Sequence, residues 1–135
     1  MTAPDPILKE PPYALQAHLG YRLTEWSPDF CRLEQPIEPY LLNRQGILHG
    51  GVLATLLDTA MGYCGCFTTE SDTRVMAMTL NLSVNYLAQA SGHMLIAEGR
   101  KTGGGAKTYF AEGRLFDDTG TLVATSTGVF RYRRS

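Results

Sequence analysis

A run of apolar residues with a single carboxylate in it, from Val52 to Phe67, constrains the fold of this chain more than any other feature. Asp58 is the only acid in that run, which follows a Gly-Gly pair at positions 50 and 51. Its apolar side chains cover most of a helix circumference, which predicts a buried helix rather than an amphipathic one. The side chains are Leu53, Leu56, Leu57, Ala60, Met61 and Cys64.

The acid in this run has two interpretations. An ionised carboxylate is expensive to bury without a partner, so Asp58 could be a structural residue that a backbone amide or an arginine satisfies. It could instead be a catalytic acid, base or nucleophile, because active sites hold carboxylates in such surroundings. The residues that precede the run favour the catalytic interpretation.

The predicted helix start is suited to bind a carbonyl oxygen. Gly50 and Gly51 let a ligand approach the backbone closely, and the first N–H groups of a helix lack internal partners. Such donors can hold an oxygen that becomes negative in a transition state. Phosphate fits less well, since no Gly-Lys-Ser/Thr sequence follows. We expect His49 to brace this turn so that the Gly50 N–H points into the site.

Six residues around the helix start form a spaced motif: Asn43, Gly46, His49, Gly50, Gly51 and Asp58. The motif resembles that of the hotdog-fold acyl-CoA thioesterases of the phenylacetate-degradation (PaaI-like) type. The likeness extends over roughly residues 18–132, and its one departure is Arg44-Gln45, where the family often has a proline after the asparagine. It implies an α+β hotdog fold, in which an antiparallel sheet wraps around one long central helix, and hydrolysis of an acyl-CoA to a free acid and CoA.

The resemblance also implies roles for individual residues. The thioester carbonyl would bind the Gly50 N–H, and the Asn43 amide would donate to the same oxygen or hold the water, although Asn43 could also be an ordinary turn residue. Asp58 would activate water as a general base or attack the carbonyl itself, and the sequence does not separate these routes. Thr79 matches a position that orients the water or the acid, but strand propensity explains it nearly as well.

The CoA half of the substrate needs cations for its phosphates. By resemblance, Gly105 and Lys107 lie in a CoA-contacting segment, and Gly51 is a further substrate-binding residue. The C-terminal arginines at 131, 133 and 134 are weaker candidates, since a basic tail is usually solvated charge. The acyl group stays open between aromatic and aliphatic classes.

Helix geometry makes a separate demand. Gly50 and Asp58 are eight residues apart, which at ~1.5 Å per residue is roughly 12 Å along the axis. Reacting atoms must approach within about 3–3.5 Å, so one group is not catalytic or the helix packs antiparallel against its copy. The second case predicts a homodimer with shared sites, as the resemblance also implies. The resemblance further implies a homotetramer built as a dimer of dimers.

Other functional classes fit less well. A hotdog hydratase or dehydratase would place a histidine beside the acid, and no second histidine lies near Asp58. A non-catalytic acyl-CoA-binding module would not need the acid. A metal site is not expected, because none of the three histidines pairs with another ligand at metal-binding spacing, and no cofactor is implied.

Composition and charge exclude further classes. A net charge of −1 on 135 residues gives no case for nucleic-acid or membrane partners. No export signal or bilayer-spanning run is visible. Three cysteines, an odd number, then suggest a reducing compartment, so we expect a cytoplasmic protein. Cys64 and Cys66 do not have the spacing of a redox pair, and we expect all three cysteines to be buried small apolar residues.

The rest of the chain predicts a single domain of residues 13–135 behind a mobile tail of residues 1–12, which contains four prolines. Turn residues separate a short helix, a hairpin and, after the long helix, four strands in an antiparallel meander. The predicted bounds are 13–19 for the short helix, 21–26 and 30–35 for the hairpin, and 74–87, 93–102, 107–116 and 121–131 for the strands.

Overall fold

The computed structural model describes residues 7–8, 10–69 and 75–134. Much of the predicted tail, residues 1–6 and 9, lies outside the described residues, while Ile7 and Leu8 pack against the apolar core. Every predicted helix and strand is present, within three residues of its predicted bounds. The elements are α1 Ala14–Leu19, β1 Arg22–Ser27, β2 Phe30–Pro36, a 3-10 turn Pro39–Leu41, α2 Gly50–Cys64, β3 Val75–Tyr86, β4 Met94–Gly104, β5 Thr108–Asp117 and β6 Leu122–Arg134.

The six strands form one antiparallel sheet in the order β1-β2-β4-β5-β6-β3. The prediction of an unbroken meander after the helix is wrong for β3, which pairs with β6 instead of β4. The connection between β3 and β4 crosses the end of the sheet, where the Leu87 and Ala88 N–H groups donate to the Val123 carbonyl. Turn residues in the sequence predict where the chain reverses direction, but they do not predict which strands pair with each other.

The long helix α2 packs one face against this sheet. The six side chains predicted to be buried, from Leu53 to Cys64, are all buried. They form a single stripe, however. Within a single chain the helix is therefore amphipathic, and the prediction of a buried helix rather than an amphipathic one is wrong. The opposite face, which includes Asp58 and Gly62, is only partly buried, because a sheet on one side cannot cover both faces of a helix.

The core contains no disulfide. Cys31, Cys64 and Cys66 are buried thiols, as predicted. Burial raises the pKa of the Cys64 thiol to about 12 and also raises the pKa of Cys66, so both are protonated and unreactive at neutral pH. In the described part of the chain, no helix is both long enough and apolar enough to cross a bilayer.

Candidate active site

Four of the five residues predicted to be catalytic line two separate pockets of the chain, and the fifth, His49, lines neither. One pocket, of about 690 Å³, is lined by Asn43 and Gly50 and is called here the Gly50 pocket. The other, of about 290 Å³, is lined by Asp58 and Thr79 and is called the Asp58 pocket. The two pockets share no lining residue. A single chain therefore keeps Asn43 and Gly50 in one pocket and Asp58 and Thr79 in the other.

The first turn of α2 leaves one backbone donor available. His49 is the N-cap, and its Nδ1 accepts a hydrogen bond of 2.8 Å from the Gly51 N–H. The His49 carbonyl accepts from the Val52 N–H at 2.9 Å. The Gly50 N–H has no hydrogen-bond partner in the described part of the chain, so it is free for a ligand. The Gly51 N–H is already engaged, and Gly51 does not line the pocket, so its predicted substrate contact lacks structural support.

Asn43 has the contacts of a turn residue and also keeps a side-chain donor for a ligand. Its Oδ1 accepts from the Gln45 N–H at 2.8 Å and from the Ile47 N–H at 3.3 Å, which is the Asn turn expected of a loop residue. Two backbone donors on the oxygen fix the orientation of the amide, so its NH₂ group is the end left to donate. Asn43 can therefore shape the loop and still offer a donor to the Gly50 pocket.

Tyr86, which the sequence did not single out, closes the pocket beside the helix start. Its hydroxyl donates to the Gly50 carbonyl at 2.8 Å. A Cβ placed on Gly50 would meet the Tyr86 ring at 3.3 Å. A side chain at position 50 would therefore require the Tyr86 ring to shift by a few tenths of an ångström, and glycine allows this last residue of β3 to pack closely on the helix start.

A buried aspartate holds the wall of the Gly50 pocket, and the sequence analysis had placed it only in a turn. Asp117 is 1% exposed, and its carboxylate accepts hydrogen bonds from Ser91, Thr119 and Thr121. Ser91 lines the pocket. Burial alone would raise the pKa of Asp117, but these hydrogen bonds outweigh it and lower the pKa to about 2. Asp118 Oδ1 adds a bond of 3.0 Å from the His93 N–H.

Asp58 meets Thr79 at the mouth of the second pocket. The Thr79 hydroxyl donates to Asp58 Oδ1 at 2.6 Å. Thr79 lies beside an irregularity of β3, where the pairing of β3 with β6 shifts register between Thr79 and Asn81. The other carboxylate oxygen, Oδ2, has no hydrogen bond within the described residues and is open to a water or a substrate.

Tyrosines form another wall of the Asp58 pocket. Tyr13 and Tyr63 line it, and the Tyr13 and Tyr21 hydroxyl oxygens lie 2.5 Å apart in a shared hydrogen bond. Burial raises the pKa of Tyr13 and of Tyr63 to about 12 and raises that of Tyr21 further. All three phenols are therefore neutral at physiological pH. No sequence motif marked these residues, since they come from the start of α1, the connection between α1 and β1, and α2.

The predicted CoA-binding residues line neither pocket. Gly105 and Lys107 lie in the exposed turn between β4 and β5, where the Gly105 N–H donates to the Thr108 carbonyl at 2.9 Å. Lys107 is next to Thr108, which pairs with Arg131, and Arg131 pairs with Met78 of β3. The turn is thus at the end of the sheet where β3 begins, and the first residues of β3 form part of the Asp58 pocket.

Comparisons with known proteins agree with this architecture. A sequence profile described as the thioesterase superfamily matches residues 45–124, more than half of the chain. The structure of BH2602 from Bacillus halodurans, determined with CoA, superposes with a TM-score of 0.79. The two chains are 31% identical, and the match covers 91% of this chain and 82% of that one. The predicted hotdog fold is confirmed.

Curated relatives match over most of their length. YigI of Escherichia coli, a medium/long-chain acyl-CoA thioesterase, is 29% identical over 125 residues, which cover 83% of this chain and 81% of YigI. PA0474 of Pseudomonas aeruginosa is 32% identical over 111 residues, which cover 76% of this chain and 81% of PA0474. These matches do not distinguish the phenylacetate-degradation type from other subgroups, so that part of the resemblance stays a prediction.

Proposed function

The chain belongs to the thioesterase superfamily, and from this we propose that it hydrolyses an acyl-CoA thioester to a free carboxylic acid and CoA. One structural observation carries the proposal. The chain places in one pocket an asparagine amide and a backbone N–H that has no hydrogen-bond partner among the described residues, and in another a carboxylate held by a hydroxyl. The first pair suits a developing oxyanion, and the second suits activation of water.

We propose that the two halves come together between two chains. Within one chain, roughly 12 Å along the helix axis separates Gly50 from Asp58. Around a two-fold axis, a second α2 running antiparallel would bring the partner's Asp58 beside Gly50. The partly buried face of α2 that carries Asp58 and Gly62 offers a surface for such packing.

The edge strand β3 supports the same arrangement. It is twelve residues long, it ends the sheet on its outer side, and Met76, Met78 and Leu80 are 44–53% exposed. A long exposed apolar edge is a template for pairing with another chain. Pairing of β3 with its copy would place two Thr79–Asp58 pairs at the dimer interface. The homotetramer stays a prediction.

Catalysis would proceed through one tetrahedral intermediate. The thioester oxygen accepts hydrogen bonds from the Gly50 N–H and the Asn43 amide. Oδ2 of the partner's Asp58 takes a proton from water as the water oxygen attacks the carbonyl carbon. Collapse of the intermediate breaks the C–S bond, and the proton on Asp58 passes to the departing CoA sulfur. The Thr79 hydroxyl holds Oδ1, so that Oδ2 faces the water.

The alternative route is direct attack by the Asp58 carboxylate, which would form a mixed anhydride that water then cleaves. Single-turnover hydrolysis in ¹⁸O-labelled water separates the routes. General-base catalysis puts the label in the released acid and none in Asp58. In direct attack, Asp58 becomes labelled when water cleaves the anhydride at the Asp58 carbonyl carbon, and repeated turnovers accumulate that label.

Lys107 is proposed to bind the CoA phosphates, with Gly105 shaping the turn that presents it. The Lys107 side chain is exposed, as a residue that meets a large polar ligand at the mouth of a site needs to be. A cytoplasmic location, where CoA esters are available, also stays a prediction.

The test is thiol release from short, medium, long and aromatic acyl-CoAs without added metal. We expect hydrolysis of at least one substrate, and no hydrolysis above buffer by Asp58→Asn. If wild-type protein releases no thiol from any substrate but still binds acyl-CoA, the chain is an acyl-CoA-binding module and the proposed activity is wrong.

A further inference from the structure

Two side chains hold the peptide group between Gly50 and Gly51 at both of its polar ends. Its carbonyl oxygen accepts a 2.8 Å hydrogen bond from the Tyr86 hydroxyl, and its N–H donates to His49 Nδ1 at 2.8 Å. Glycines have more backbone freedom than any other residue, so two consecutive glycines make this helix start easy to distort. The peptide group between them is called here the clamped peptide.

The clamped peptide adjoins the donor that is available to a ligand. The Gly50 N–H belongs to the preceding peptide and has no hydrogen-bond partner among the described residues. The carbonyl of that preceding peptide, from His49, accepts from the Val52 N–H at 2.9 Å. The two peptides meet at the Gly50 Cα, so the backbone angles of Gly50 set their relative orientation. Fixing the clamped peptide therefore limits the directions in which the Gly50 N–H can point.

Tyr86 connects the helix start to the sheet. Whereas His49 is next to Gly50 in the sequence, Tyr86 is 36 residues away from it. Tyr86 is the last residue of β3, and its backbone pairs with Ala124 of β6. Its ring lies 3.3 Å from the position that a Gly50 Cβ would occupy. The hydrogen bond from Tyr86 thus ties the first residue of α2 to a paired strand.

Tyr86 acts on a substrate through Gly50 and not by its own hydroxyl proton. Tyr86, Gly50 and Asn43 all line the Gly50 pocket. A phenol has one proton to donate, and the proton of Tyr86 is used in the bond to the Gly50 carbonyl. A carbonyl oxygen in this pocket can therefore accept from the Gly50 N–H and the Asn43 amide but not from Tyr86.

We propose that Tyr86 is a positioning residue, which fixes the clamped peptide so that the Gly50 N–H is aligned with the substrate oxygen in the transition state. The inference rests on the proposed hydrolysis of acyl-CoA and adds a residue to that site. A donor that is already aligned needs no reorganisation as charge develops on the oxygen. Loss of the alignment therefore destabilises the transition state more than the bound substrate.

The first experiment measures kcat and KM of Tyr86→Phe with hexanoyl-CoA and phenylacetyl-CoA in the full-length protein. The substitution keeps the ring against Gly50 and removes the hydroxyl. We expect kcat to fall roughly three- to tenfold, the effect of one neutral hydrogen bond, while KM stays within about twofold of wild type. An unchanged kcat in Tyr86→Phe would overturn the inference and leave the proposed activity in place.

Tyr40→Phe is the matched control. Tyr40 is 60% exposed and Tyr86 is 54% exposed, and the Tyr40 hydroxyl also donates to a backbone carbonyl, that of Leu19, at 2.9 Å. Tyr40 lines neither pocket. This variant loses the same kind of bond away from the site and should keep the wild-type kcat. Equal falls in both variants would assign the effect to general destabilisation and overturn the role of Tyr86.

The second experiment observes the hydrogen bond to the substrate carbonyl directly. The ligands are ketone analogues of the two substrates, in which a methylene replaces the thioester sulfur and the carbonyl carbon is ¹³C. Infrared difference spectra give the stretching frequency of the bound carbonyl. In Tyr86→Phe this frequency should be higher than in wild type, because a misaligned Gly50 N–H polarises the carbonyl less. Tyr40→Phe should give the wild-type frequency.

The ketone analogues also separate the inference from the proposed activity, since their binding requires no turnover. If wild type hydrolyses neither substrate but binds an analogue, the carbonyl frequency decides. A higher frequency in Tyr86→Phe supports the positioning role in the absence of hydrolysis, and equal frequencies in the two proteins overturn it. If neither analogue binds to wild type, the Gly50 N–H has no carbonyl to align and the inference is overturned.

Discussion

The Thr79 hydroxyl donates a 2.6 Å hydrogen bond to Asp58 Oδ1 across 21 residues of sequence. A bond from a neutral hydroxyl to a carboxylate is short and strong. It occupies one carboxylate oxygen and fixes the direction of the other. The orientation of the proposed base is thus set by a side chain of β3 as well as by the helix that carries it.

Removal of this bond should lower turnover more than substrate binding. Thr79→Val keeps the shape of the side chain but lets the Asp58 carboxylate rotate, and we expect kcat to fall about ten- to hundredfold with little change in KM. Thr79→Ser retains the hydroxyl and should keep most of the activity. Steady-state kinetics on one substrate measures both, and an unchanged kcat in Thr79→Val would contradict the orienting role.

Two inactive variants should restore activity when mixed. Asn43→Ala and Asp58→Asn each disable one half of the site, and Asp58→Asn should lose most of kcat while substrate still binds. In mixed dimers with sites built from two chains, one site carries both lesions and the other carries neither. Random mixing should therefore restore about a quarter of wild-type activity, since half of the dimers are mixed and each holds one intact site.

Subunit exchange is the control for this complementation. Differently tagged variants that co-purify after mixing show that mixed dimers have formed. If these mixed dimers have no activity, each site is built within one chain, and the proposal of a site shared between two chains is wrong.

Lys107→Ala should weaken recognition of CoA without affecting the reacting centre. The phosphates interact with this residue to the same extent before and during the reaction, so KM should rise while kcat stays nearly constant. The increase should be about ten- to hundredfold for a CoA thioester and absent for the corresponding pantetheine thioester. Equal increases in KM for both substrates would show that Lys107 does not bind the phosphates.

Asp117→Asn should destabilise the fold in a pH-dependent way. The carboxylate accepts bonds from Ser91, Thr119 and Thr121, and the substitution should lower the free energy of unfolding by about 1–3 kcal/mol at neutral pH. The pKa of Asp117 in the folded state is about 2, below the ordinary 3.8, so protonation favours the unfolded state. The stabilisation is present above about pH 3.8 and is lost as the pH falls towards 2.

Urea titrations of wild type and Asp117→Asn over this pH range measure the difference directly. Asp118→Asn is the control, because its carboxylate accepts a single bond from the His93 N–H and its loss should cost less. A difference between wild type and Asp117→Asn that stays constant down to pH 2 would contradict the assignment of the stability to this carboxylate.

Local patterns in the sequence determined much of the fold. The apolar spacing from Leu53 to Cys64 predicted the buried stripe of α2, and the Gly-Gly pair marked its start. Turn residues located the strands, because clusters of glycine, proline, aspartate and serine mark where one element ends and the next begins. The motif from Asn43 to Asp58 also selected residues that line two pockets of the structure.

The tertiary structure decided which of these residues meet. Strand order depends on pairing between distant segments, so the position of β3 beside β6 and the bond from Thr79 to Asp58 had no local signal. The tyrosines beside Asp58 come from the start of α1, from the connection between α1 and β1, and from α2, and Asp117 reaches back to Ser91 across 26 residues. Sequence by itself determined the elements and the chemical groups on them, because periodicity and turn propensity act over a few residues. The division of those groups between two pockets was decided only when the sheet covered one face of the helix and left the other face partly exposed.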